Sequence, residues 1–241
     1  MKRANYKILT LLFIATLFSS CAVDMFNRVN GNRNVVTEDR STKEEFTKIK
    51  VSAGLELYIS QGSKNQITVE ADENLQEIII TEVNNGVLKI YSEKNIWKAK
   101  ARKIFVTIKN LEAISATSGA AIYTEESLIL NNLNISATSG AEINISIEVN
   151  TVETSATSGA NIKVSGVSIN HISKATSGAS IYTYELRSKN VTVKATSGAN
   201  IDVFAYESID AKATSGGDID FKGDPKKVNK KTSSGGSVSA Q

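Results

Sequence analysis

Ala116-Thr-Ser-Gly-Ala120 is the stretch that decides the fold, because it returns at Ala137–Ala141, Ala156–Ala160, Ala175–Ala179 and Ala195–Ala199. A sixth copy, Ala213–Gly217, ends in glycine instead of alanine, and a seventh, Thr232–Gly236, is more degenerate. The glycines fall at Gly119, Gly140, Gly159, Gly178, Gly198, Gly216 and Gly235, so successive steps are 21, 19, 19, 20, 18 and 19 residues. A period near twenty held over seven copies is the mark of a stacked architecture in which each repeat is one supersecondary unit.

Aligned on glycine, the copies become columns. Three residues after each glycine stand Ile122, Ile143, Ile162, Ile181, Ile201, Ile219 and Val238; three before it stand Ala116, Ala137, Ala156, Ala175, Ala195, Ala213 and Thr232. Their shared parity points them inward in a strand, as an aliphatic stack flanked by small residues. At about 4.8 Å per rung, seven rungs make a column of roughly 30 Å. The glycine column is expected to need positive φ or to lack room for a Cβ under the next rung. The serines beside it (Ser118 to Ser234) are expected to hydrogen-bond along the stack through their side chains. The Thr117-to-Thr214 column, closed by Ser233, is expected to face outward as a β-propensity ladder. Such an array also suits ice or a carbohydrate surface, but the lysines beside it spoil a flat water-ordering face.

Upstream, residues 1–20 read as a signal peptide. Lys2, Arg3 and Lys7 precede the apolar run Ile8–Phe18, which is too short for a permanent membrane span. The leader ends at Leu17-Phe18-Ser19-Ser20-Cys21, with the chain's one cysteine, so no intramolecular disulfide can form. A lone cysteine at that place resembles a bacterial lipobox, with Cys21 as the lipidated residue; Phe18 departs from the usual aliphatic residue, and an ordinary secretory signal is the alternative. Residues 21–38 are expected to be a lipidated tether. Without the three leader cations the balance falls from 28 against 25 to 25 against 25, which argues against general nucleic-acid binding.

The fold proper is expected over residues 39–241: irregular first rungs over 39–110, then regular rungs over 111–241. In the first part Phe46–Val51, Leu55–Ile59, Ile67–Ala71, Val87–Tyr91 and Ile104–Ile108 alternate as strands. Ser52-Ala53-Gly54, Gln61-Gly62-Ser63 and Asn84-Asn85-Gly86 supply turns, the last a hairpin signal. Asp72–Glu82 leaves a short helical turn or a strand open. With one proline in 241 residues and no long amphipathic helix, the class is all-β.

Lys48–Gly62 (KIKVSAGLELYISQG), Ile67–Asn74 (ITVEADEN) and Gly86–Ile90 (GVLKI), followed by Ser-Gly-Ala repeats, resemble the auto-transporter adhesin head-domain family. The resemblance covers about residues 40–241. It implies a single-domain right-handed parallel β-helix, or solenoid, and an exported protein of the Bacteroidetes type, often a lipoprotein. The adhesin label of that family rests on fold analogy. No membrane-barrel segment follows the repeats, so the chain is not expected to be an autotransporter in its own right.

Two surface features are candidates for binding. Beside the threonines runs a column that reads Ser115, Ser136, Ser155, then Lys174, Lys194, Lys212 and Lys231. Stacked ammonium groups repel one another unless an anion lies along them, which fits a track for an acidic polysaccharide or lipid headgroup; the alternative is a solvated face guarding against edge aggregation, together with Lys226, Lys227 and Lys230. Asp218 and Asp220, with Asn200 and Asp202 one rung earlier, could hold Ca²⁺ or act as acid and base, or stand as ordinary outward polar residues. Lys98, Lys100 and Arg102 beside Trp97 are expected to alternate on one strand face. Rungs of this length leave no room for loops that wall a catalytic cleft, His171 is the single histidine, and no nucleotide or zinc motif occurs.

The expectation is therefore a lipid-anchored envelope protein with a binding or adhesion surface, no enzyme, no metal and no cofactor. A structural scaffold is the nearest alternative and a polysaccharide-processing enzyme the distant one. Its expected partners are the membrane through the lipid, a polysaccharide or envelope protein, and another chain through the open C-terminal edge; nucleic acid is not among them.

Overall fold

The computed structural model describes residues 28–42 and 44–241; the expected signal peptide, Cys21 and the first part of the tether lie outside them. In the first half the strands are β1 (Arg28–Asn30), β2 (Val35–Arg40), β3 (Lys48–Val51), β4 (Glu56–Gln61), β5 (Gln66–Asp72), β6 (Ile79–Asn84), β7 (Val87–Ser92), β8 (Asn95–Lys98) and β9 (Arg102–Ile108). The second half adds β10 (Ala113–Ala116), β11 (Ala121–Thr124), β12 (Leu128–Thr138), β13 (Glu142–Thr157), β14 (Asn161–Ala175), β15 (Ser180–Thr196), β16 (Asn200–Thr214), β17 (Asp218–Lys222), β18 (Lys227–Ser233) and β19 (Ser237–Ala240). Helical backbone among the described residues is confined to one 3-10 turn, Glu73–Leu75, followed by β6, so the ambiguous Asp72–Glu82 stretch is both turn and strand.

From β10 onward every pairing is parallel, each strand lying on the strand one repeat later, in register except for bulges in the β14–β15 pairing (between Lys163 and Gly166) and the β15–β16 pairing (between Thr183 and Arg187 and between Ser188 and Asn190). This is the expected parallel β-solenoid of about seven turns. The expected columns stack as read: Ile122, Ile143, Ile162, Ile181, Ile201 and Ile219 pair in succession and are fully buried. The column extends upstream through Leu57 and Ile104. Its regular part therefore begins earlier than the first ATSGA copy: Ala53 (φ 60°) and Gly54 (φ 67°) form the same turn one rung below Ser118-Gly119. Leu55, a bulkier residue where the repeats have alanine, hides that rung in the sequence.

Residues 28–110 are more than irregular rungs. β2 pairs antiparallel with β5, β5 with β9, and β6 with β7 around the turn at Asn85-Gly86, where both φ values are positive (52° and 72°). The fold also starts upstream of residue 39. β1 lies parallel on β8, and the buried Asp72 carboxylate accepts the backbone N–H groups of Arg33 (2.9 Å), Ala101 (2.9 Å) and Lys100 (3.0 Å). Burial alone would raise the Asp72 pKa, but these donors and the Lys100 charge outweigh it and hold the carboxyl below its ordinary value. The expected tether is thus, from Arg28, a strap pinned to the first rungs.

The turn column decides between the two readings of its glycines and corrects the reading of its serines. Each glycine has φ near 70°, but nothing lies within 4 Å of where its Cβ would stand, so conformation and not crowding requires it. The preceding serines are also left-handed, with φ of 50° to 56°. Along the stack the bond runs through the backbone, from each glycine N–H to the serine carbonyl of the next rung (Gly119 to Ser139, 3.2 Å; Gly178 to Ser197, 3.1 Å). The serine hydroxyls stay within their own rung, 3.4–3.5 Å from threonine Oγ1 in four copies. Crowding appears one residue later: a Cβ on Gly217 would stand 2.6 Å from the Ala195 backbone, and one on Gly236 2.5 Å from that of Ala213. That is why alanine gives way to glycine in the last two copies. Gly159→Ala should therefore cost about 1–2 kcal/mol from φ alone, Gly159→Asn less, and Gly217→Ala up to about 3 kcal/mol from the clash. Urea unfolding of the three variants checks the order; equal costs would contradict it.

Candidate functional site

Strand register decides which side chains can act together, because it sets every outward column at about 4.8 Å per rung. Lys174 pairs with Lys194, Lys194 with Lys212, and Lys212 with Lys231. All four are exposed, and among the described residues none has a carboxylate oxygen within 4.0 Å of its ammonium. Lys50 and Lys89 continue the same column at the other end, beyond Ser155, Ser136 and Ser115. The half-buried threonines Thr176, Thr196 and Thr214 flank the lysines, with Thr214 Oγ1 donating to Thr196 Oγ1 at 3.0 Å.

Lys230 behaves differently. Its partner in register is the buried Ala211, so it occupies a core column, and its Nζ lies 4.7 Å from the Phe221 ring centre. An inward cation in the last described rung keeps that edge from pairing indiscriminately. It belongs to the fold, not to the outward row.

The aspartates also come together. Asn200 pairs with Asp218 and Asp202 with Asp220, all partly exposed or exposed on one face. Asp218 Oδ1 accepts from Ser237 Oγ (2.6 Å) and Asp220 Oδ1 from Gln241 Nε2 (3.0 Å). Burial raises the Asp202 pKa, reinforced by the Asp220 and Asp218 charges and opposed by Lys222. The same causes, burial first and then the three aspartates, push the Tyr184 phenol up to about 12, while Lys222 Nζ sits 4.3 Å over its ring. Among the described residues no group of three or more His, Cys, Asp or Glu is placed to hold a metal ion.

His171 is buried in a core column between Val152 and Val191. Its Nε2 lies 3.1 Å from Thr154 Oγ1, which donates onward to Ser173 Oγ (2.9 Å), so Nε2 carries the proton and Nδ1 is left without a partner. Burial lowers its pKa from 6.5 to about 4. It is an enclosed core residue, three residues before the outward Lys174 on β14.

Trp97, Lys98, Lys100 and Arg102 do not share one strand face: β8 ends at Lys98, β9 begins at Arg102, and Arg28 lies 4.1 Å over the Trp97 ring. Two further ladders escaped sequence reasoning. Phe105, Tyr58 and Tyr123 stack on successive rungs with ring centres 5.2 and 5.3 Å apart. Thr151, Asn170, Asn190 and Ser208 form a hydrogen-bonded row at a corner. The second was visible as a fixed offset of eight residues before Gly159, Gly178, Gly198 and Gly216; the first joins segments far apart in sequence.

Comparison with known proteins bears on the family and the fold. Residues 45–225 match the model of the family described as "Putative auto-transporter adhesin, head GIN domain". Among curated proteins none matches the sequence. A "putative adhesin" from Bacteroides fragilis superposes with a TM-score of 0.82 at 21% identity, over 88% of this chain and 100% of that one. A "putative adhesin" from Parabacteroides merdae gives 0.70 at 17%, over 89% and 99%. A "putative lipid binding protein" from Parabacteroides distasonis gives 0.68 at 20%, again over 89% and 99%. At these identities the likeness is one of fold.

The buried histidine generates a prediction on acid stability. The unfolded chain takes up a proton near pH 6.5 while the folded one refuses it until about 4. Stability is thus unaffected by this group above 6.5 and falls as pH drops through that window, by up to about 3 kcal/mol. His171→Val should flatten that part of the urea-unfolding profile against pH; an unchanged slope would contradict it.

Proposed function

The chain belongs to the auto-transporter adhesin head GIN domain family, and from that premise we propose that it is an exported, lipid-anchored envelope protein whose solenoid binds an acidic polysaccharide along its lysine column. The observation that carries the reading is the register itself. Four ammonium groups, Lys174, Lys194, Lys212 and Lys231, stand side by side with no acid within ion-pair distance among the described residues. Like charges directly opposite on paired strands are destabilising unless an anion lies between or along them. A polymer with regularly spaced carboxylates or sulfates meets that need over several rungs at once, and the adjoining threonine hydroxyls supply uncharged hydrogen-bonding groups for the sugar, Thr214 as an acceptor because its proton goes to Thr196. The rigid sheet holds the row in place, so little ordering is required on binding. Export through residues 1–20 and anchorage at Cys21 place this surface in the envelope, and no catalytic role is assigned to it.

Polyanion and glycan arrays on residues 22–241, which keep every described strand, test the reading. Binding should be confined to acidic polysaccharides, weaken as salt rises, and fall about tenfold or more when all four lysines become glutamine. Binding that survives the fourfold change, or none at all by the parent, would contradict it. Cys21→Ala should move the exported protein from the membrane to the soluble fraction; unchanged membrane retention would contradict the anchor.

A further inference from the structure

A second outward face carries a pattern that the lysine column does not use. Ile129 on β12 pairs with Glu148 on β13, Glu148 with Val167 on β14, Val167 with Arg187 on β15, and Arg187 with Phe204 on β16. Beside Val167, two residues along β14 on the same face, stands Ile169, followed on β15 by Lys189. Ile129 is 67% exposed, Val167 and Ile169 47% each, and Tyr206 on β16 44%, so large apolar side chains lie open to water together. With Glu148 and Arg187 they line a groove of about 690 Å³. Contiguous exposed apolar surface of this kind marks an interaction site.

The charges on this face show what fits it. Glu148 is exposed one rung to one side of Val167, and Arg187 is exposed one rung to the other. Two rungs separate them, roughly 10 Å, and neither has an ion partner within 4.0 Å among the described residues. The row thus reads apolar, acid, apolar, base, apolar across five successive strands. Such an order is self-complementary. Laying a second copy face to face, related by a two-fold axis that runs along β14 in the plane of contact, reverses the order of strands. Glu148 then faces Arg187 of the other copy, twice over. Val167 and Ile169 meet their own equivalents on the axis, and Ile129 comes over Phe204 and Tyr206. A two-fold axis along the solenoid instead would set β13 on β13 and bring Glu148 near its own equivalent, with no base opposite.

We propose that this face is an isologous dimer interface, and that the occupant of the groove is a second copy of the chain with its solenoid axis antiparallel. The contact closes, as a two-fold contact must, so it yields pairs and not filaments. It leaves the lysine columns free, since those stand on the strand segments just before the Ser-Gly turns. A dimer would then present two such columns.

Sedimentation of residues 22–241 over a range of concentrations tests the proposal, with circular dichroism confirming that each variant stays folded. A reversible monomer–dimer equilibrium is expected. Val167→Asp should abolish it. Glu148→Arg and Arg187→Glu should each weaken it about tenfold, because either change sets like charges opposite each other. The two reversals together should restore it to near the parent value, since every acid again meets a base. A monomer at all concentrations would overturn the proposal, whether or not the protein binds lipid vesicles through this groove. So would a dimer that survives Val167→Asp, which would locate association elsewhere, such as the last rung. Failure of the double reversal to restore pairing would overturn the two-fold arrangement.

Discussion

The whole solenoid depends on one backbone contact, the hydrogen bond from a turn glycine to the serine carbonyl one rung on. Two consecutive residues in left-handed conformation are costly for a chain of L-residues, about 1–2 kcal/mol for a non-glycine. The chain accepts that cost seven times at serine. What offsets it is that the double reversal aims the glycine N–H at the neighbouring turn, so an exposed corner is tied to the next exposed corner. The in-register columns follow from this. Once the turns stack, the residues flanking them stack as well, and isoleucine falls on isoleucine, lysine on lysine; only bulges farther from the turns shift the register between β14 and β16.

That consequence explains how much of the molecule was legible. Periodicity exposes anything that repeats at a fixed offset from the turn, so the Ile122–Val238 core, the alanines and the Lys174–Lys231 row could be read from the sequence with their partners. It cannot show why a residue is there. Glycine at 119 and at 217 look alike as letters, yet one answers to φ and the other to contact with the Ala195 backbone. The serine reading failed for a related reason: the side chain is what a sequence displays, whereas the bond belongs to the main chain.

Residues 28–110 were harder because nothing there repeats. Ala53-Gly54 is a turn of the same column, but Leu55 conceals it. The antiparallel pairings of β2, β5 and β9 join segments about 30 to 40 residues apart, and no local pattern specifies them. The Asp72 carboxylate, gathering backbone donors from both Arg33 and Ala101, is a long-range device of the same sort. The surface sites divide likewise. The lysine row lies along one column and was visible. The Glu148, Val167 and Arg187 row changes chemistry at every rung, so it reads as noise until the register sets acid and base symmetrically about an apolar centre.

Both surface readings presuppose that register, so the turn ladder is the place to test the account. Amide hydrogen exchange resolved at the seven turn glycines is the direct measurement. Gly119, Gly140, Gly159, Gly178, Gly198 and Gly216 stand at solvent-exposed corners, yet each donates to the next serine carbonyl and should be protected. Gly235 has no such bond among the described residues and should exchange freely. Rapid exchange at all seven would contradict the stacked turns, and with them the columns on which both proposed surfaces are built.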